Sequence, residues 1–382
     1  MNNQQKTYLI AMVGIVIISG LVWGKGNLQQ EKQINDPIKL GVILPLSGSS
    51  GIDQGEWNKR GLELALEDVD QDNNSIELVY DDSRGEPKTA LIAYSSLRDR
   101  YNTPVVFTWG SSIGLALSPI VNKDHVVQMG IATAVPSYTS NGDFNFRVFP
   151  SSNLESEYLA DTLINKLHVG QIATIKLNND YGIGAENSFK EHYEKQGGQI
   201  ITQETLEPGA TDFRAQLTKI KNANPEFVYV ASYPKEGGLL IKQARELGIR
   251  SQFIASLAIL GGKEFFDITG SSAEGLTVVT STPVFSENAN PEAKKFADAY
   301  KLKYNEEPGP QHQYSARAYD ALKIIYSLIQ QCSTDTECIK SELFKVKDYK
   351  GAGGTISLDE NGDIVSNFYL QVVRNGKFVS YE

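Results

Sequence analysis

The chain has 382 residues, 41% of them hydrophobic and 21% charged, with a formal net charge of −10. That is globular composition with enough apolar material for two domains. The acidic balance excludes a broad basic surface for nucleic acid.

The N-terminus reads MNNQQKTYLIAMVGIVIISGLVWGKG. A polar start with Lys6 precedes an apolar run of about 16 residues, Tyr8 to Trp23, slightly long for a signal sequence and short for a spanning helix. A cleaved signal and an uncleaved anchor both fit, and either way the remainder is exported. Residues 1–36 therefore form a leader or anchor plus a polar linker. No cysteine lies in or just after the run, which excludes a diacylglyceryl anchor.

From Ile38 the pattern alternates short apolar runs with longer amphipathic ones. IKLGVILPLSG reads as a strand, WNKRGLELALEDVD as a helix and IELVYDD as a strand. GEPKTALIAYSSLRDR reads as a helix with Pro87 in its first turn. PVVFTWG and VVQMGIATAV are strands flanking the helix IGLALSPIVNKD. The same alternation runs from NLESEYLADTLINKLH to QFIASLA. Strands apolar on both faces, joined by helices, form parallel sheets. About a dozen such units exceed one small sheet and predict an α/β chain with two doubly wound domains.

The C-terminal part breaks the rhythm. NPEAKKFADAYKLKYNEEP and SARAYDALKIIYSLIQQC are helices with no clear strand between them. GTISLDENGDIVSNFYLQVVRNGKFVSYE reads as a meander with turns at Asp359–Gly362 and Asn375-Gly376. A tail returning to one domain makes several connections between domains. That is a hinge architecture with ligand in the cleft.

Two cysteines, Cys332 and Cys338, sit in CSTDTEC. In an exported chain they predict a disulfide that stabilises by about 2 kcal/mol. The alternative, a metal pair, lacks partners: His125, His168, His192 and His312 are all distant in sequence. No metal site is expected. Asp81 and Asp82 in YDDS read as turn caps or solvated carboxylates.

The stretch TPVVFTWGSSIGLALSPI hands a strand to a helix through Gly110-Ser111-Ser112. Such a junction leaves backbone N–H groups unpaired at the positive end of a helix dipole, a place to hold an anion. The plainer reading of Ser111 is an N-cap, and the two are compatible. No H-E-x-x-H, G-x-S-x-G, Walker A or dinucleotide fingerprint occurs, so no enzyme is expected and no cofactor.

GVILPLSG, TDFRAQLTKIKNANPEFVYVASY, LLIKQARELGI, SSAEGLTVV, ARAYDALK and GTISLDENGD follow in the order of one family. From Pro37 to Glu382 the chain resembles the type I periplasmic binding proteins, in their Leu/Ile/Val-binding branch. The resemblance implies a type I Venus-flytrap fold, two lobes joined by three crossovers. Lobe 1 would be 37–148 plus 281–352, and lobe 2 149–280 plus 353–382. It implies capture of a small carboxylate-bearing solute, delivery to an ABC permease, and a monomer. The other reading is a membrane-tethered sensing ectodomain working with a partner receptor.

By that resemblance Ser111 and Ser112 would bind the ligand carboxylate. Ala132, Thr133 and Ala134, in IATAVPSYT, would supply a carbonyl and a hydroxyl, or form only a strand-end turn. Tyr181 in NNDYGIGAE and Tyr233 in VASYPKEGG would close over the ligand from lobe 2, or pack on their own lobe. Trp57 and Trp109 are candidates for an apolar wall or for core. The family's lobe 2 glutamate for an α-ammonium falls at about Ala258, between Leu257 and Ile259. A buried ammonium without a carboxylate is costly. Asp180, Asp53 or Glu236 would have to substitute, or the ligand is a carboxylate without an α-amine, such as an aliphatic or aromatic acid, or else an amide or small peptide.

Overall fold

The computed structural model describes residues 36–48, 51–71, 75–261, 263–281 and 289–381. The expected leader or anchor, Tyr8–Trp23, lies outside them. Among the described residues no helix is long and apolar enough to cross a membrane.

Five strands form the first sheet: β1 (Ile38–Leu44), β2 (Ile76–Asp82), β3 (Val105–Trp109), β4 (Val127–Ala132) and β5 (Asn145–Arg147). They lie in the order β2-β1-β3-β4-β5, all parallel. Every residue of β3 is buried, as a strand covered on both faces requires. The crossovers are α1 (Ile52–Val69), α2 (Pro87–Tyr101) and α3 (Ser111–Asp124). Pro87 opens α2, and Asn102 ends it in a left-handed conformation, φ 48°.

The second sheet follows the order β14-β13-β10-β9-β8-β6-β7. Its parallel strands are β6 (Gln171–Leu177), β7 (Gln199–Leu206), β8 (Phe227–Ala231), β9 (Gln252–Ala255) and β10 (Thr277–Ser281). Helices α4 (Ser152–Asp161), α5 (Asp180–Lys195), α6 (Arg214–Ala223), α7 (Pro234–Glu246) and α8 (Lys263–Thr269) belong to this half.

After β10 the chain returns to the first half as α9 (Pro291–Tyr304), α10 (Gln313–Cys332) and α11 (Thr336–Leu343). Helix α10 packs directly on α1. A Cβ at Gly61 would lie 2.0 Å from Ser315 O, so only glycine permits that approach. Asp68 of α1 accepts from Lys295, Tyr319 and Lys323. Cys332 and Cys338 form the disulfide between the end of α10 and α11, with Cα atoms 5.7 Å apart.

A short hairpin, β11 (Tyr349–Gly351) and β12 (Gly354–Ile356), then sits on α10. Asp320 accepts from Ala352 N at 2.7 Å and Gly353 N at 2.6 Å. Arg147 reaches Asp363 with Nε and Nη2 at 2.5 and 2.9 Å. The segment 353–364, expected in lobe 2, is thus fastened to lobe 1. The chain joins the second sheet only at β13 (Phe368–Arg374), antiparallel to β10. Ser281, expected to open the return, still pairs with Phe368 in the second sheet. Asn375 and Gly376, at φ 53° and 70°, turn β13 into β14 (Lys377–Ser380). The architecture is two α/β lobes joined by three crossings of the chain.

Candidate functional site

The first wall is built where β3 meets α3. Gly110 adopts φ 87° and ψ 144°, a turn that aims the chain into α3. The first helical bond is Gly114 N to Gly110 O at 2.9 Å. The N–H groups of Ser111, Ser112 and Ile113 therefore have no helical carbonyl to meet. Ser111 Oγ accepts from Ala134 N and Val135 N at 3.3 and 3.1 Å, tying the end of β4 to the start of α3. Trp109 Nε1 donates to Gln54 Oε1 at 3.0 Å, and Gln54 Nε2 donates to Tyr314 OH at 3.1 Å. Tyr314 stacks on Trp57 and on Phe149, with ring centroids 6.0 and 5.4 Å apart.

The second wall comes from the loops after β6, β8 and β9. Asn179 caps α5, its side chain accepting from Gly182 N at 2.9 Å. That fixes Tyr181 in the first turn, where its hydroxyl meets Ser256 Oγ at 2.5 Å. Tyr181 stacks on Tyr233, centroids 5.3 Å apart and planes within 12°.

The two walls touch. Tyr233 lies 5.7 Å from Trp109, ring to ring. Asp180 N–H donates to Ser112 Oγ at 3.4 Å. A Cβ on Gly184 would come within 3.0 Å of Val135 Cγ2. The lobes are closed on each other, and Trp109, Tyr181, Tyr233 and Tyr314 are all buried. Burial drives the phenols of Tyr181, Tyr233 and Tyr314 upward, with the Glu155 charge adding to Tyr181 and Tyr314. These tyrosines stay neutral and offer hydroxyls, not charge.

Ser111, Ser112, Trp57, Trp109, Tyr181 and Tyr233 all stand at this junction of the lobes. Trp57 also borders a small interlobe cavity with Asp53, Pro234, Lys235 and Phe265. The segment after β4 departs from expectation. Thr133 Oγ1 donates to Gly110 O at 3.4 Å, its side chain turned into lobe 1 beside Gly114 and Gly130. It offers no hydroxyl to a ligand in this arrangement. The carbonyls of Ala132 and Ala134 are engaged as well. Ala132 O accepts from Gly110 N, and Ala134 O accepts from both N and Oγ of Ser152. Asp82 caps the turn after β1, accepting from Leu46 N, Ser47 and Arg84 N.

Ala258 sits in a tight turn, Leu257–Ile259, buried and without charge. Of the substitutes considered, Glu236 is engaged in its own lobe by Gly209 N at 3.0 Å. The carboxylate that does reach this turn is Glu155, which sequence reasoning missed. It accepts from Leu257 N at 2.7 Å and is 3% exposed. Burial pushes it up to about 8, against the Leu257 bond. Its signal was present: Glu155, Leu159 and Leu163 are spaced to share one helix face, and the leucines are core. Tyr314, Phe149 and Gln54 were missed because each reads as an ordinary core or helix residue.

Two α/β lobes that meet at an aromatic-lined junction, with a helix N-terminus in one wall, have the fold of the type I bilobal class. A family profile described as periplasmic binding protein matches residues 37–377, and the chain belongs to that family. It is similar to Leu/Ile/Val-binding protein homolog 3 of Brucella melitensis, 28% identical over 353 residues, covering 90% of this chain and 94% of that one. Among solved structures it is similar to a leucine binding protein from Thermotoga maritima. That match has TM-score 0.83 and 29% identity, over 90% of this chain and 98% of the other. A branched-chain amino acid transporter substrate binding protein from Streptococcus pneumoniae, in complex with isoleucine, matches with TM-score 0.80 and 27% identity. It too covers 90% and 98% of the two chains. The family and these relatives are binding proteins rather than enzymes, and the family implies an exported protein.

Proposed function

We propose that the protein is the extracytoplasmic solute-binding component of an ABC importer. It closes two lobes on a small carboxylate-bearing solute, an amino acid or a related acid, amide or peptide, and delivers it to a membrane permease as a monomer. In this reading lobe 1 takes the described residues of 37–148 with 289–364, and lobe 2 those of 149–281 with 365–381. The observation that carries this reading is the α3 N-terminus, whose first three N–H groups have no partner among the described residues and stand at the seam facing Asp180 of the other lobe. Such a terminus favours an anion by ~0.3–1 kcal/mol when exposed and up to ~2 when partly buried. Ser111 keeps its hydroxyl proton available, because both of its hydrogen bonds among the described residues are accepted ones. The rings of Trp109, Tyr181, Tyr233 and Tyr314 suit the apolar part of a solute.

A thermal-shift screen of the exported protein tests this. Branched-chain and aromatic amino acids, aliphatic and aromatic carboxylates and short peptides form the panel. At least one raises the melting temperature in a concentration-dependent way, corresponding to a stabilisation of ~2.7 kcal/mol at a hundredfold excess over Kd. A panel with no binder overturns the proposal.

A further inference from the structure

Glu155 is a carboxylate without a reason inside its own fold. It lies on the buried face of α4, with Ser156, Leu159 and Ala160 buried beside it. One oxygen accepts from Leu257 N, a bond that glutamine would make equally well. No Lys, Arg or His among the described residues pairs with it. Burying an uncompensated carboxylate is costly, and a neutral side chain of the same shape would fold at least as well. Its charge bears on Tyr181, Tyr229 and Tyr314, from α5, β8 and α10, none of which carries positive charge. Two of these, Tyr181 and Tyr314, are walls of the closed site, and Leu257 adjoins Ala258 in the turn where the sequence lacks an acid.

We propose that Glu155 supplies the counter-charge for a protonated amine of the solute, so that the site selects zwitterions over plain carboxylic acids. This rests on the solute-binding reading above and deepens it. The solute's negative end meets the N–H groups of α3, and its ammonium reaches the free oxygen of Glu155 beneath the rings of Tyr181 and Tyr314. Aromatic faces add to the attraction for a cation, and a primary ammonium donates the hydrogen bond that the carboxylate lacks. The acid missing at Ala258 is replaced from a different element, α4, whose Glu155 is hydrogen-bonded to the same turn at Leu257 N. The raised proton affinity of Glu155 without a partner is what an empty cation subsite produces.

The test uses matched pairs on the wild-type protein by calorimetry: leucine, isoleucine, valine and phenylalanine, each against its 2-hydroxy and its deaminated acid. The amino acid of a pair binds, and the analogue without the amine binds about 100-fold more weakly or not at all. Glu155→Gln, checked for folding by circular dichroism, abolishes this preference, and Glu155→Asp retains part of it. Equal binding of an amino acid and its deaminated partner to wild type overturns the assignment while leaving solute capture intact. Binding of an amino acid undiminished in Glu155→Gln overturns it too. If neither member of any pair binds, the solute-binding reading fails, and this inference fails with it.

Discussion

Replacing Asp363 by alanine isolates the ion pair that fastens the tail to lobe 1. The Arg147 side chain is fully buried, whereas that of Asp363 is 19% exposed. The guanidinium makes a bidentate contact to Asp363 and donates from Nη1 to Thr133 O and Val135 O at 3.3 and 2.8 Å. Removing the carboxylate leaves a buried cation with two carbonyls and no counter-charge. Breaking a fully buried pair costs ~3–5 kcal/mol, and the partial exposure of Asp363 lets water recover some, so we expect ~2–4. Asp363→Asn retains an acceptor and should lose less. Urea unfolding of the ligand-free protein, with the slope checked for constancy, measures both. A loss below ~0.5 kcal/mol for Asp363→Ala would refute the account of how residues 353–364 are held.

Tyr233→Ala removes the ring that bridges Trp109 and Tyr181; at ~0.5–1.5 kcal/mol per aromatic pair, solute affinity should fall roughly tenfold to a hundredfold in calorimetry, and an unchanged Kd would remove Tyr233 from the site. His312 is buried between Trp57 and Tyr300, and burial depresses it to about 4 although Glu306 pulls the other way. A group depressed on folding stabilises fully above its unfolded value of 6.5, and that contribution disappears as pH falls toward 4. Thermal melts should therefore show a loss of ~2–3 kcal/mol across this window that is absent in His312→Gln; parallel pH profiles for the two proteins would contradict it. Reducing Cys332–Cys338 should cost about 2 kcal/mol of stability and leave affinity unchanged, because the bridge lies roughly 27 Å along α10 from Tyr314. A change in Kd on reduction would show that the far end of α10 is coupled to the site.

The alternation of strands and helices was legible because parallel strands buried on both faces are continuous apolar runs, as β3 and β8 are. The Asn375-Gly376 hairpin was legible from its turn chemistry alone. The last crossing was misplaced because residues 353–364 are assigned by distant side chains, Arg147 and Asp320, which no local pattern records. The loops after β3, β6 and β8 draw attention because Ser, Asn and Tyr among glycines stand out there, and the structure brings these loops to the junction of the lobes. The orientation of Thr133 was not legible, since the direction of a side chain just past a strand end is fixed by packing, here beside Gly114 and Gly130. Glu155 escaped because a glutamate in the first turn of a helix has an ordinary explanation, favourable interaction with the dipole. Only the tertiary structure shows that its carboxylate is turned inward to the Leu257 turn.

The most direct measurement is the crystal structure of the protein with the solute that the screen identifies. The solute should lie in the seam between the lobes, its carboxylate within hydrogen-bond distance of the N–H groups of residues 111–113, with Tyr181 and Tyr233 over it from the other side. A solute bound on the outer surface of either lobe, or one whose carboxylate leaves the start of α3 untouched, would contradict the account.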